Sequence, residues 1–186
     1  MKRPVPDEVI LGLLRSRSAH GYDLLESFRS PNQLGRMWTL STSQVYAVLK
    51  RLEEGGAIEG KQVFPSDAPV KIVYSVTDKG VLKLENWLFD PKPSASIHRI
   101  RVLFLSRLYV ADLLGIGVTE IIENQKSVCE KQRIIFLNEK EKATNSFEKL
   151  TLDFIVGQLD AAIEWLGRCE NKLFANTKDN QISIDN

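Results

Sequence analysis

The sequence predicts a mainly α-helical protein in two parts, an N-terminal part with one β-hairpin and a C-terminal part that is all helix. Three observations support this. A capped amphipathic helix follows Ser41, an alternating hairpin comes directly after it, and residues 97–175 show helical periodicity throughout. Residues 90–96 hold two prolines and small polar residues, which disfavour a helix and mark a domain boundary. We therefore expect domains at residues 1–90 and 97–175.

The helix after Ser41 has clear start and stop signals. Ser41 and Gln44 have the spacing of a capping box, in which each side chain pairs with a backbone N–H of the first turn. Gly55 and Gly56 end the helix. Its apolar residues recur at i, i+3, i+4 and i+7 and form one buried stripe: Val45, Val48, Leu49 and Leu52.

The opposite side of this helix is small and polar. It carries Ser43, Ala47 and Lys50, with Tyr46 on one shoulder and Arg51 on the other. Such a face can lie close to a DNA duplex and offer donors to phosphates and base edges. The alternative is an ordinary amphipathic helix with a solvated outer face.

The segment after the helix favours the first interpretation. Residues 57–64 and 70–76 flank a turn-rich stretch at 65–69, and the second run alternates apolar and polar residues as a strand does. Helices followed by a hairpin are the order of a winged helix-turn-helix domain with a two-stranded wing. The residues predicted to contact DNA are Thr42, Ser43, Gln44, Tyr46, Lys50, Arg51, Lys61 and Lys71.

The first two helices are predicted from their apolar spacing. Asp7 begins a helix that reaches about Arg17, and a second helix starts near Ala19. Tyr22, Leu25 and Phe28 recur at three-residue steps along that second helix, which predicts one shared face.

Three motifs in register carry a family resemblance over about residues 5–90: His20-Gly21-Tyr22, Ser43-x-x-Tyr46-x-x-Leu49-Lys50-x-Leu52-Glu53-x-x-Gly56 and Tyr74-Ser-Val-Thr77-Asp-x-Gly80. Together they resemble the PadR family of transcriptional regulators. By its length and helical pattern, the C-terminal part is similar to that of the larger PadR subfamily.

The resemblance implies a homodimeric repressor that binds a pseudo-palindromic operator. It also implies a small-molecule effector that releases the DNA, phenolic acids being one class for this family. Four aromatic residues are candidates for an effector pocket, with a core position as the alternative for each: Trp38, Trp87, Tyr109 and Trp165.

The last helix has the spacing of a helix-pairing seam. Its apolar residues follow 3-4 steps over three heptads, and those predicted to form the dimer are Leu152, Ile155, Leu159, Ala162, Leu166 and Leu173. Packing against the preceding helix of the same chain is the alternative, and the two can coexist. Residues 176–186 are rich in Asn, Asp, Lys and Ser, which predicts a disordered tail.

Composition limits the function classes. The net charge is only +1, with twelve basic and eleven acidic residues through Asp90 and thirteen of each beyond it, so DNA contact must rest on few cations. A near-neutral charge also suits the alternative function, a winged-helix module for protein–protein assembly without DNA. We expect a cytoplasmic protein without signal peptide or membrane span. No motif predicts an enzyme, a cofactor or a metal site.

Overall fold

The computed structural model describes residues 4–64 and 70–179, with side chains described through Cys169. The described chain is mainly helical and forms two compact units. The first unit combines the chain through Phe89 with Arg101–Gly117. The second combines Asp90–Ile100 with the chain from Val118 onward.

The first unit has the predicted order of helices and hairpin. Its elements are α1 (Asp7–Ser16), β1 (Ala19–His20), α2 (Gly21–Arg29), α3 (Thr42–Glu54), β2 (Ile58–Val63), β3 (Lys71–Val76), α4 (Asp78–Leu88) and, from the C-terminal half, α6 (Leu105–Leu113). The winged helix-turn-helix fold predicted from the sequence is confirmed. Its N-terminal helices and hairpin follow directly from apolar spacing and capping residues.

The sheet has one strand more than predicted. The strand order is β1-β3-β2 with antiparallel pairing, so the wing hairpin gains a short third strand from the start of α2. Ala19 pairs with Tyr74 and His20 with Val73. A strand of two residues is too short to be predicted from alternation. Its pairing with β3 connects the base of the wing to the start of α2.

The core of the first unit lies between the helices. The apolar residues of α1 and α2 are buried together with the inner stripe of α3, as their spacing predicts. Leu34 and Trp38 of the connection before α3 are buried as well. Tyr22 is the exception, because its side chain is 61% exposed and does not share the buried face of Leu25 and Phe28.

The position of α6 corrects the predicted domain boundary. Residues 101–117 belong to the first unit, whereas the sequence predicts residues 97–175 as the C-terminal domain. Helix α6 packs on α1, where Gly12 has no side chain and its backbone closely approaches the buried side chain of Val110. Trp38 Nε1 also donates a hydrogen bond to Ser106 Oγ at 2.8 Å. These contacts are tertiary, so a boundary read from composition missed them.

The second unit is built on two long helices. It contains the short α5 (Ile97–Arg99), α7 (Thr119–Lys142) and α8 (Ser146–Asp179). A π-helical segment, Ile100–Phe104, follows α5 and belongs to the first unit from Arg101 onward. Residues 90–96 are not a free hinge, since Gln125 Nε2 donates a hydrogen bond to Ser94 O at 3.1 Å. Helix α8 continues through Asp179, so residues 176–179 are helical where a disordered tail was predicted, and the rest of that prediction, residues 180–186, lies outside the described part.

Within the described part of the chain, none of the helices combines the length and the apolar composition needed to cross a bilayer.

Candidate nucleic-acid interface

Helix α3 is capped at both ends as predicted. Ser41 Oγ accepts a hydrogen bond from Gln44 N at 3.3 Å, and Gln44 Oε1 accepts one from Ser41 N at 2.8 Å. Gly56 follows the helix with φ 67°, a left-handed conformation that glycine adopts without strain. The start and direction of α3 are thus determined locally. One consequence is that the amide oxygen of Gln44 is engaged with the backbone.

The two sides of α3 differ as predicted. The inner stripe is buried, and the residues proposed to meet DNA lie on the exposed remainder of the helix. Ala47 stands near the centre of the exposed side, where it leaves room for another surface to approach. The exposed residues are Thr42, Ser43, Gln44, Tyr46, Ala47, Lys50 and Arg51.

Lys50 and Arg51 are adjacent but have different partners. Lys50 Nζ lies 3.8 Å from Glu54 Oε1 and both side chains are well exposed, so this pair is weak and leaves the ammonium group accessible. Arg51 donates two hydrogen bonds to Asp7, from Nε to Oδ2 at 3.1 Å and from Nη2 to Oδ1 at 2.5 Å. The hydrogen bond to Asp7 raises the pKa of Arg51 above its ordinary value.

The pair of Arg51 and Asp7 joins α3 to two other helices. The Asp7 side chain is only 9% exposed and lies at the start of α1. Lys83 of α4 approaches the same carboxylate at 3.6 Å and Glu8 at 3.4 Å. Removing one partner would leave a nearly buried carboxylate poorly compensated. This geometry favours a structural role for Arg51 over the predicted DNA contact.

The wing places its two predicted lysines on one side. Lys61 opposes Val73 and Lys71 opposes Val63, so both lysines share a face of the hairpin. Lys61 Nζ lies 2.9 Å from Glu59 Oε1, an exposed pair of small energetic weight. The turn at residues 65–69 lies outside the described residues.

Helix α2 begins beside the exposed side of α3 and the wing, a neighbourhood that sequence reasoning missed. A Cβ on Gly21 would lie 2.8 Å from ring atoms of Tyr46, so the tyrosine ring rests directly on the first turn of α2. His20 Nδ1 lies 3.0 Å from Ile72 O and links the same turn to the wing. Tyr22, the next residue, is exposed beside them. The His20-Gly21-Tyr22 motif was the available signal, although none of its residues was among the predicted DNA contacts.

The aromatic candidates for an effector pocket have different surroundings. Trp38 is a core residue, because it is buried and its ring meets Phe28 edge-on at 6.2 Å between centroids. The guanidinium of the buried Arg107 lies 5.3 Å from the centroid of the Trp87 ring, in cation–π geometry.

The other two candidates are half-buried. Tyr109 lines a cleft of about 170 Å³ in the first unit, and burial raises the pKa of its hydroxyl. Trp165 belongs to the second unit. The described contacts thus explain Trp38 as core and leave the effector role of the other three as a prediction.

The predicted dimer seam is used within the chain. Leu152, Leu159 and Leu166 are buried on α8, which packs along α7, and Ile155 and Ala162 are half-buried. Arg133 pairs with Asp160 and Lys140 with Asp153 along the same two helices. The side chain of Leu173 lies outside the described residues. The intramolecular alternative therefore accounts for the buried part of this stripe.

The outer side of α8 is apolar too. Phe147, Leu150 and Phe154 are all at least 66% exposed and follow a 3-4 spacing of their own. Gly157 and Ala161 continue the same spacing, and a Cβ on Gly157 would meet no atom within 4 Å. We call these five residues the outer stripe of α8. Its periodicity was masked in the sequence by the more regular inner stripe.

No metal centre is formed by the described side chains: residues 4–64 and 70–169 contain no group of three or more His, Cys, Asp and Glu side chains arranged to hold an ion.

Comparison with known sequences finds a likeness in the N-terminal part of the chain. Residues 10–86 match the sequence model of the transcriptional regulator PadR-like family. The negative transcriptional regulator PadR of Bacillus subtilis is 36% identical over 84 residues, which are 45% of this chain and 45% of that protein. The chain thus aligns with slightly less than half the length of this relative. Both matches concern transcriptional regulators, not enzymes.

Solved structures show a looser likeness over more of the chain. The crystal structure of Bacillus subtilis PadR in complex with operator DNA is 24% identical, with a TM-score of 0.45, and the comparison covers 88% of this chain and 96% of that one. The structure of the same regulator in complex with p-coumaric acid is 23% identical, with a TM-score of 0.43, covering 91% and 96%.

Proposed function

We propose that this chain, whose residues 10–86 form a PadR-like transcriptional-regulator domain, is a homodimeric repressor that binds a pseudo-palindromic operator. The observation that carries the proposal is the exposed side of α3, with Ser43, Ala47 and Lys50 beside a wing. The 36% identical relative is named a negative regulator, which supports repression rather than activation.

The exposed side of α3 is suited to the major groove. A helix fits that groove, and the small side chains of Ser43 and Ala47 let the helix backbone approach the base edges. Lys50 can donate to a guanine edge or a phosphate, and the hydroxyl of Tyr46 to a phosphate. Lys61 and Lys71 of the wing would contact phosphates without reading sequence.

Two copies of this domain would bind more tightly than one. Few cations neutralise few phosphates, so a single domain should bind weakly and with strong salt dependence. Domains about 34 Å apart meet successive major grooves, and tethering makes the second contact intramolecular.

We assign the tether to the outer stripe of α8, because the inner stripe is already covered by α7. A second copy of α8 is the occupant that the stripe fits best. Its 3-4 spacing keeps one seam in contact over several turns, and Gly157 allows the two helices to approach closely.

A small-molecule effector belongs to the same proposal, and its support is the family match of residues 10–86. A phenolic acid such as p-coumaric acid is the first compound to test. Adding it to a preformed complex with DNA should lower the bound fraction if this class is recognised. An unchanged fraction would exclude that compound as the effector.

The second candidate function is protein–protein assembly without DNA. Exposed apolar side chains on the wing favour it, namely Val63, Phe64, Val70 and Ile72. The polar outer side of α3 favours DNA instead, because an assembly surface would place apolar residues there as well.

The deciding experiment selects duplexes from a random-sequence library with the full chain and measures affinity for the selected sequence. The DNA upstream of the protein's own gene should compete for the same site. Lys50→Ala should then weaken specific binding by roughly 1 to 3 kcal/mol if Lys50 reads a base. If no sequence is enriched, the result supports the alternative function in protein–protein assembly. If Lys50→Ala keeps both affinity and salt dependence, the outer side of α3 is misassigned.

A further inference from the structure

A groove of about 480 Å³ lies between the first turn of α2 and the wing, with Tyr46 of α3 in its wall. Tyr22 lines it from α2 and His20 from β1, while Ile72 and Lys71 line it from β3. All of these residues belong to the first unit.

The groove is preformed, because its three walls are joined to one another. The Tyr46 ring rests on the backbone of Gly21, and His20 Nδ1 is 3.0 Å from Ile72 O. The pairing of β1 with β3 holds the wing to the start of α2. Binding of a ligand in this groove would therefore not include the free-energy cost of ordering the groove walls.

The lining combines exposed apolar surface with hydrogen-bond donors. Tyr22, Tyr46 and Ile72 expose between 44% and 61% of their side chains next to one another. Exposed apolar groups that lie together in a groove are a common feature of binding surfaces. The hydroxyls of Tyr22 and Tyr46 and the ammonium group of Lys71 are the donors. Burial and the nearby Glu53 raise the pKa of Tyr74, a further lining residue, so its hydroxyl stays protonated.

We propose that this groove holds the sugar–phosphate backbone of one DNA strand, with Tyr22 as a DNA-backbone contact. The inference rests on the proposed function and extends it to α2. A helix in the major groove, which is about 12 Å wide, has a backbone on each side. The DNA backbone on the Tyr46 side of α3 would then lie in the protein groove between α2 and the wing. Deoxyribose rings would contact the apolar surface of Tyr46 and Ile72, and phosphate oxygens would accept hydrogen bonds from Tyr22 and Lys71.

The opposite shoulder of α3 borders a second groove, of about 500 Å³, in which Arg51 and Lys83 are both engaged with Asp7. There Arg51 is held by Asp7, which binds the guanidinium that a phosphate would otherwise use. The asymmetry predicts that one strand of each half-site is held more closely than the other.

The test compares Tyr22→Phe and Tyr22→Ala with Leu82→Ala in the full chain. Leu82 is a matched control, since it is also 61% exposed but lies on α4, away from the groove. Affinity is measured for a selected duplex and for a duplex of unrelated sequence. Tyr22→Ala should weaken both by a similar factor, at least about fivefold, because a backbone contact reads no sequence.

The two Tyr22 variants separate the hydroxyl from the ring. Tyr22→Phe should lose part of the affinity and Tyr22→Ala more, with the salt dependence unchanged because tyrosine carries no charge. Lys71→Ala should make the slope of the logarithm of the binding constant against the logarithm of the salt concentration less steep by about one. Ethylation of individual phosphates should identify positions that weaken binding by the parent protein but no longer affect Tyr22→Ala.

The possible failures are distinct. A parent protein that binds no duplex overturns the proposed function and the groove assignment together. If the parent protein binds DNA and the Tyr22 variants have the same affinity as Leu82→Ala, only the groove assignment is overturned. The groove would then bind another occupant, such as a small molecule or a protein segment.

Discussion

Helices α3 and α8 carry similar apolar stripes but differ in what lies on their other side. The outer side of α3 is small and polar, with Ala47 at its centre. The outer side of α8 exposes two phenylalanines and a leucine. In both helices the more regular stripe is buried within its own unit. A periodic stripe therefore indicates which residues are buried together, and the opposite side indicates what else the helix contacts.

The difference also shows what the spacing of apolar residues leaves open. Helix α3 packs against α2 and β2, and the spacing correctly predicts which of its sides is exposed. On α8 the 3-4 spacing predicts a helix-pairing seam whose partner is a second copy, the preceding helix or both, and α7 of the same chain covers the buried part of that seam. Leu166 is fully buried without any partner chain. Periodicity alone does not distinguish an intramolecular partner from an intermolecular one.

The largest effect is expected from Leu159→Glu combined with Leu166→Glu. Both side chains are buried against the same chain, so two carboxylates would be placed in an apolar contact without partners, at several kcal/mol each. The α7–α8 pair should lose its cooperative thermal transition in circular dichroism, while the first unit keeps its own. A well-folded double variant would show that α8 does not depend on this stripe.

Leu150→Glu combined with Phe154→Glu is the matched counterpart on the outer stripe. The same two charges on the same helix should leave the thermal transition nearly unchanged, because both positions are exposed. Light scattering should show a monomer, and DNA affinity should fall by at least about tenfold through loss of tethering. A variant that remains dimeric would remove the outer stripe from the interface.

Adjacent residues on α3 offer a smaller and sharper test. Arg51→Ala should lower the free energy of unfolding by about 1 to 2 kcal/mol, since Asp7 loses its bidentate partner while Lys83 still compensates part of its charge. The salt dependence of DNA binding should stay unchanged. Lys50→Ala should behave in the opposite way, with flatter salt dependence and normal stability.

Asp7→Asn supplies the control for that pair. Combined with Arg51→Ala it should cost less than the two single changes added together, as expected for residues that interact directly. Additive effects would mean that the two side chains stabilise the fold independently. A flatter salt dependence for Arg51→Ala would restore its role as a DNA contact.

The smallest expected effect concerns Cys129 of α7. Burial raises the pKa of its thiol, so the folded state favours the protonated form. This contribution to stability is present below the pKa of the unfolded thiol, about 8.5, and is lost as pH rises through the higher folded value. Near pH 8.5 iodoacetamide should modify the half-buried Cys169 before Cys129. Equal rates in the native state would show that the α7–α8 contact opens readily.

Local features of the sequence determined much of the first unit. The capping box of Ser41 and Gln44, the glycines after α3 and the alternation in the wing depend on neighbours within a few residues. Structures that depend only on such neighbours can be inferred from spacing. The inner and outer sides of α3, and with them the position of Lys50, followed for the same reason.

Tertiary structure decided the features that join distant residues. The pair of Arg51 and Asp7 spans 44 positions and the bond from Trp38 to Ser106 spans 68. Neither has a local signature, because a side chain's spacing does not reveal the element that will face it. The same reason explains the placement of α6 in the first unit, the covering of the inner stripe of α8 by α7, and the exposure of Tyr22 in a groove that three separate elements build.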